Sequence, residues 1–300
     1  MKGSSNMVEW HFSPKEPYSF EATIRRLVRF DKMLYRYRNG LLYRTLWLKD
    51  RPVTICLEWE AGQIRVQAEE SLSEQECEIL KGTIRRMFSL DVELQPFYDC
   101  MKKEPDLAPI IESRRGLHLV LDPTLYECLI KTIISQQLNL SFAGKLVHRL
   151  VKFAGDSLVF QGEELPVFPA PDQVARLNVE DLQKLSFNRR KAEYVIDLSR
   201  DIVEGKLDLD SLKQLPNEEV IERLVALRGV GRWTVECILL FGMGRTNLLP
   251  AADIGLRNAL KKVYGLNHQP TEAEVRQWGE RWSPWRSYVT FYLWDYLSNG

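Results

Sequence analysis

The sequence predicts an α+β protein of two parts, an N-terminal antiparallel sheet with helices followed by an all-helical domain. Three observations predict it. Three β-rich runs, Leu41 to Leu48, Val53 to Trp59 and Ile64 to Ala68, are separated by the turn-like stretches Lys49-Asp50-Arg51-Pro52 and Glu60-Ala61-Gly62-Gln63, the pattern of an antiparallel meander. From about Asp106 the β pattern stops and helical periodicity continues to the C-terminus. Within that second part, Gly229 and Gly231 flank Val230 between two apolar-periodic segments, which reads as helix, tight turn, helix. The expected division is residues 1–105 and 106–300.

At 300 residues, 45% hydrophobic and 27% charged, the chain has room for two domains and a substantial core. Its first residues lack the apolar stretch of a signal peptide, and no apolar run approaches the length of a membrane span, so a soluble, cytoplasmic monomer without membrane contact is expected. The five cysteines are odd in number and without CxxC spacing, which argues against a disulfide framework, a zinc site and an iron–sulfur cluster. The four histidines show no metal spacing, and GxGxxG, P-loop and GxSxG motifs are absent. A net charge of +0 leaves whole-chain electrostatics silent about nucleic acid, because clusters such as Arg189-Arg190-Lys191 are offset by acidic runs such as Glu218-Glu219-Glu222.

Taken in order, an aromatic lead-in from Trp10 to Phe20 precedes a helical pattern carried by Ile24, Leu27, Val28 and Phe30. The meander follows, and Ser71 to Leu90 closes the layer as a helix. No polar constellation in this part suggests catalysis. Beyond it, periodicity marks helices at Tyr126 to Gln137, Ser141 to Phe153, Val179 to Leu185, Arg190 to Glu204, Asn217 to Ala226, Trp233 to Gly242, Ile254 to Tyr264, Glu272 to Trp282 and Trp285 to Leu297. The break from Gly155 to Pro171 reads as a surface loop.

The stretch from Leu227 to Leu256 carries the chemistry. Its glycines permit positive φ and close approach by a neighbouring backbone, and a helix opening there points free N–H groups outward, which suits a phosphate. A plain interhelical turn satisfies the same residues. Asp253, just ahead of another helical run, reads on its own as an N-cap. A preorganised carboxylate at that place could also stabilise developing positive charge.

Four blocks in order resemble the helix–hairpin–helix DNA glycosylase superfamily, and within it the DNA-3-methyladenine glycosylase II branch. They are IISQQLN at 133–139, LRGVGRWT at 227–234, LPAAD at 249–253 and RWSPWRSY at 281–288. The resemblance implies double-stranded DNA containing damaged bases as partner, base flipping, and hydrolysis of the N-glycosidic bond with Asp253 as the essential carboxylate. It implies that Gly229, Gly231, Arg232 and Thr234 hold the DNA backbone and that the carbonyls of Leu227 and Gly229 bind a structural monovalent cation, with no cofactor for catalysis. Trp233 stands where bifunctional members carry a lysine, which implies a monofunctional enzyme. Trp233 and Trp285 are the expected walls of the base pocket, with Trp282, Tyr288 and Cys237 beside them, although bulky aromatics equally fill cores. Gln136, Gln137 and Leu138 are expected in the loop that enters the duplex, with Gln137 or Leu138 as the wedge. The rival readings are a glycosylase for oxidised or deaminated purines and a non-catalytic DNA clamp.

Overall fold

Five antiparallel strands form the N-terminal layer in the computed structural model, which describes residues 7–69 and 71–299. They are β1 (Met7–Phe12), β2 (Tyr35–Arg38), β3 (Leu41–Leu48), β4 (Arg51–Glu60) and β5 (Gln63–Glu69), in spatial order β1-β5-β4-β3-β2. The expected meander is β3 to β5. The aromatic lead-in contributes β1, and β2 is a short edge strand that its charged residues conceal in the sequence. Between β4 and β5, Ala61 and Gly62 take φ of 49° and 80°, the pair of positive angles that a two-residue hairpin turn needs.

Helix α1 (Phe20–Phe30), capped by Ser19, and α2 (Glu74–Met87), closed by a Ser73–Glu76 capping box, cover one face of the sheet with Ile24, Leu27, Leu80 and Ile84. The chain then runs through α3 (Gln95–Met101), α4 (Ala108–Glu112), α5 (Leu125–Ser135) and α6 (Leu140–Ala154). The remaining helices are α7 (Pro171–Ala175), α8 (Val179–Lys184), α9 (Arg189–Val203), α10 (Asn217–Val225), α11 (Arg232–Cys237), α12 (Ile254–Val263), α13 (Glu272–Gly279) and α14 (Arg286–Asn299).

The second part is not purely helical. The expected surface loop at Gly155 to Pro171 contains a β-hairpin, β6 (Ser157–Phe160) and β7 (Glu163–Pro166). It forms because the outer face of the sheet needs a cover: Phe160 and Leu165 bury the cross-strand pair Tyr43 and Cys56, and Glu163 accepts from Arg36 at 2.6 Å and Arg38 at 2.9 Å. The core is also continuous across position 105. Phe97 of α3 and Ile111 of α4 pack together with Tyr288 and Tyr292 of α14.

One buried ionic cluster joins the two parts. Arg44 of β3 donates to Glu127 of α5 at 2.5 Å with both side chains out of solvent, and Lys131 reaches Asp31 at 2.9 Å and Asp122 at 2.6 Å. Removing one partner from such a pair costs about 3–5 kcal/mol, because the other charge is left desolvated. The sheet therefore holds α5 in place, and α5 ends directly at Gln136.

Candidate active site

Asp253 caps α12. Its Oδ1 accepts the backbone N–H of Leu256 at 2.7 Å, which satisfies one of the free donors of the first helical turn. The same oxygen accepts the indole N–H of Trp294 at 2.8 Å, and Oδ2 accepts the indole N–H of Trp233 at 3.1 Å. One backbone amide and two indoles thus fix the carboxylate, and none of these donors can take its charge away by titrating. Capping and chemistry are compatible in this geometry, since the three donors orient the negative charge at a helix N-terminus that favours it. Gly255 permits the arrangement: a Cβ there would lie 3.0 Å from Asp253 Oδ1 and 3.3 Å from Trp294 Nε1.

The second helix of the hairpin positions Trp233. Gly231 is the N-cap of α11, and the helix continues past Cys237 through a π-helical turn at Ile238–Gly242. That turn presents Phe241, whose ring stacks on Trp294 with centroids 5.7 Å apart and planes 18° from parallel. Cys237 is buried beneath, close enough to Asp253 and Arg26 to feel both charges, and burial pushes its thiol pKa well up. It stands one helical turn after Trp233 on α11. Trp294, Phe241 and Arg26 were not anticipated from the sequence.

The hairpin turn depends on Gly229. Its φ is +84°, and a Cβ would come within 2.3 Å of the Tyr194 ring, so conformation and contact both require glycine. Gln136 braces the turn from α5, donating to the Gly229 carbonyl at 2.8 Å and to Thr234 Oγ1 at 2.9 Å. Thr234 is buried, whereas Gly231 and Arg232 are exposed, with Arg232 tied to the buried Glu236 at 3.1 Å. The Leu227 carbonyl accepts the N–H of Val230 at 3.1 Å. Both carbonyls of the expected cation site therefore have one partner already and keep one lone pair each.

The loop after α5 separates its three residues. Gln136 points inward to the hairpin, Leu138 packs against the core, and Gln137 is exposed with φ +57°, a left-handed conformation rare for a side-chain-bearing residue. The loop is held by Lys191 of α9, whose ammonium donates to the carbonyls of Ile134 at 2.7 Å and Gln136 at 2.5 Å. Desolvation lowers the Lys191 pKa to about 8. Leu140 and Phe142, on the first turn of α6, are apolar and exposed beside Gln137.

Three expected pocket residues belong to the hydrophobic core around α14. Trp282 and Tyr288 are fully buried in the core. Trp285 packs against Phe97 at 5.9 Å and Tyr288 at 5.7 Å, and no hydrogen bond joins it to Asp253 among the described residues. The reason is helical geometry: Trp285 precedes α14, and the side chain that reaches the carboxylate stands nine residues later at Trp294.

An α+β layer backs a helix–hairpin–helix, and beside the hairpin a carboxylate is held between two indoles. The chain belongs to the HhH-GPD superfamily of base excision DNA repair proteins, whose family model matches residues 130–284. It is 39% identical over 276 residues to the Bacillus subtilis protein YfjP, provisionally named a DNA-3-methyladenine glycosylase, with 88% of this chain and 94% of that protein covered. The 3-methyladenine DNA glycosylase of Archaeoglobus fulgidus superposes with a TM-score of 0.87 at 24% identity, covering 97% of this chain and 99% of that one, a likeness of fold. The Schizosaccharomyces pombe 3-methyladenine DNA glycosylase Mag1, solved with abasic DNA, matches 67% of this chain and 96% of its own, with a TM-score of 0.57 and 27% identity.

Proposed function

We propose that the chain is a monofunctional DNA glycosylase that flips alkylated purines of the 3-methyladenine type from duplex DNA and hydrolyses the N-glycosidic bond, leaving an abasic site. The observation that carries this is the Asp253 carboxylate, fixed by Trp233, Trp294 and the Leu256 amide. As the bond to the base breaks, positive charge builds on the sugar, and an oriented carboxylate stabilises that oxocarbenium-like state or orients the water that traps it. Trp233, not a lysine, follows Arg232, so the hairpin supplies no amine there for a Schiff base.

The remaining roles follow from placement. Backbone amides around Gly229 and Gly231 hold phosphate, which positions the enzyme without reading sequence. A monovalent cation at the Leu227 and Gly229 carbonyls would use their second lone pairs. Gln137 is the wedge, because of the three expected residues it alone is exposed, and the exposed Leu140 and Phe142 follow it in the chain. The relatives bearing 3-methyladenine glycosylase names, one of them bound to abasic DNA, support this substrate class.

The test is incubation with randomly methylated duplex DNA, chromatography of the released bases, and borohydride treatment of a parallel sample. Released methylated purine with no trapped protein–DNA adduct is expected. Absence of methylated purine contradicts the substrate class, and a covalent adduct contradicts the hydrolytic mechanism.

A further inference from the structure

The loop after α5 is a turn with an unusual occupant. The N–H of Leu138 donates to the Ser135 carbonyl at 3.1 Å, closing a four-residue turn with Gln136 and Gln137 at its centre. Gln136 has φ −50° and ψ 127° and Gln137 has φ +57°, the pattern of a type II turn, whose third position favours glycine or asparagine. A glutamine persists there only where its surroundings dictate the backbone. The alternative, a type I turn, turns over the peptide between the two glutamines and takes Gln137 to negative φ. The Gln136 carbonyl oxygen distinguishes the two forms, and it is the atom that Lys191 holds, with a bond of 2.5 Å beside that to the Ile134 carbonyl at 2.7 Å. Lys191 is buried, its own N–H is fixed at 2.8 Å by the Asn188 cap of α9, and among the described residues no carboxylate lies within ion-pair distance of its ammonium. On the other side, the Gln136 side chain donates to the Gly229 carbonyl at 2.8 Å and to Thr234 Oγ1 at 2.9 Å, so one residue ties the turn to the hairpin.

We propose that Lys191 is a positioning residue for base extrusion: by holding the Gln136 carbonyl it sets the peptide orientation that presents Gln137 to the duplex. This rests on the reading of the Asp253 site as a glycosylase site and of Gln137 as its wedge. Lys191 touches neither base nor sugar in this role and acts through the turn. A wedge fills the space that a flipped nucleotide leaves, so its backbone has to hold direction while a stacked base is displaced. A charged donor suits that task, because its bond to a carbonyl is roughly twice as strong as a neutral one and the carbonyls that end a helix carry the negative end of its dipole. Without the ammonium the turn can relax toward type I, which takes Gln137 out of its left-handed conformation and redirects its side chain. Because Gln136 joins the same turn to Gly229, the wedge is held at a fixed place relative to the hairpin.

The experiment measures single-turnover release of methylated purine from randomly methylated duplex DNA by wild-type protein, Gln137→Ala, Lys191→Met, the double variant, Lys191→Arg and Asp253→Asn, with circular dichroism to establish that each is folded. Lys191→Met and Gln137→Ala are each expected to slow release about tenfold, and the double variant is expected to be slowed about tenfold and not about a hundredfold, because two residues that act through one side chain do not add. Lys191→Arg keeps a charged donor and is expected to stay within about threefold of wild type. The proposal is overturned, with the glycosylase reading intact, by a double variant slowed by the product of the two single losses or by Lys191→Met within about twofold of wild type. A loss in Lys191→Met with Gln137→Ala silent, or Lys191→Arg as slow as Lys191→Met, overturns it equally. Absence of released methylated purine with wild-type protein, or undiminished release by Asp253→Asn, overturns the reading beneath it as well. If Lys191→Met does not fold, Lys191→Gln takes its place in the same cycle.

Discussion

Trp294 donates its indole N–H at 2.8 Å to the oxygen of Asp253 that also caps α12, so the last helix of the chain sets the direction of the carboxylate. Together with the bond from Trp233 to the other oxygen at 3.1 Å, this leaves the acid little rotational freedom. Orientation here is built from aromatic side chains, whose flat faces suit the extruded base of the proposed reaction.

Replacing Trp294 by Phe removes the donor and keeps an aromatic face. Hydrogen bonds to a charged group are worth about 1.5–3 kcal/mol, so single-turnover base release is expected to fall by about ten- to a hundredfold. DNA affinity measured by fluorescence anisotropy should stay within about twofold. Unchanged release would remove Trp294 from the orienting set.

In Gly229→Ala the added Cβ meets the Tyr194 ring, and the positive φ disfavours any side chain. The expected outcome is a loss of more than about 1 kcal/mol of stability together with weaker DNA binding. Adding Tyr194→Ala to that variant should restore only the part due to the clash. Full restoration would mean that backbone conformation contributes nothing to the hairpin.

The two loop residues Gln137 and Leu138 separate cleanly by measurement. Gln137→Ala should slow base release from duplex DNA while its melting temperature stays unchanged, because surface truncations stay within about 0.5 kcal/mol. Leu138→Ala, which uncovers core, should cost about 1–2 kcal/mol of stability. The reverse pattern would make Leu138 the wedge.

Much of this site was legible in the sequence, and what was missed has specific physical causes. Asp253, Trp233 and Gly229 announce themselves by their place around one turn. Trp294 does not, because α14 is buried on all sides through most of its length: Ser287 through Leu293 are consecutive buried residues, and no single stripe marks one aromatic as different. Trp285 stands within the last motif, yet eight residues of helix from Arg286 carry Trp294 about 12 Å further along the axis. Arg26 was hidden for another reason. An arginine on an amphipathic helix reads as solvated surface, and only the packing of α1 against α14 turns it toward Phe241. The β6–β7 hairpin escaped because its reason to exist, the uncovered pair Tyr43 and Cys56, lies a hundred residues earlier in the chain.

Lys191 ties the loop to α9 and gives the protein a distinctive pH dependence. Its folded pKa is depressed by burial to about 8, below the value of about 10.4 in an unfolded chain, so the folded state binds fewer protons between those values. Stability from this residue therefore rises as pH increases from about 8 toward 10, and is flat below. Thermal melts of wild-type protein and Lys191→Met at pH 7, 8, 9 and 10 should show the difference moving in favour of the wild type above pH 8. A difference constant with pH would contradict the shift.

The most direct measurement is single-turnover release of methylated purine by Asp253→Asn, with DNA binding followed in the same preparation. Asparagine keeps the size of the side chain and an oxygen to cap α12, but removes the negative charge. Base release is expected to fall by a thousandfold or more, on the order of 4 kcal/mol of transition-state stabilisation, with affinity for DNA unchanged or slightly raised. Release at a rate near that of the wild type would contradict the assignment of Asp253 and return the protein to the class of non-catalytic DNA clamps.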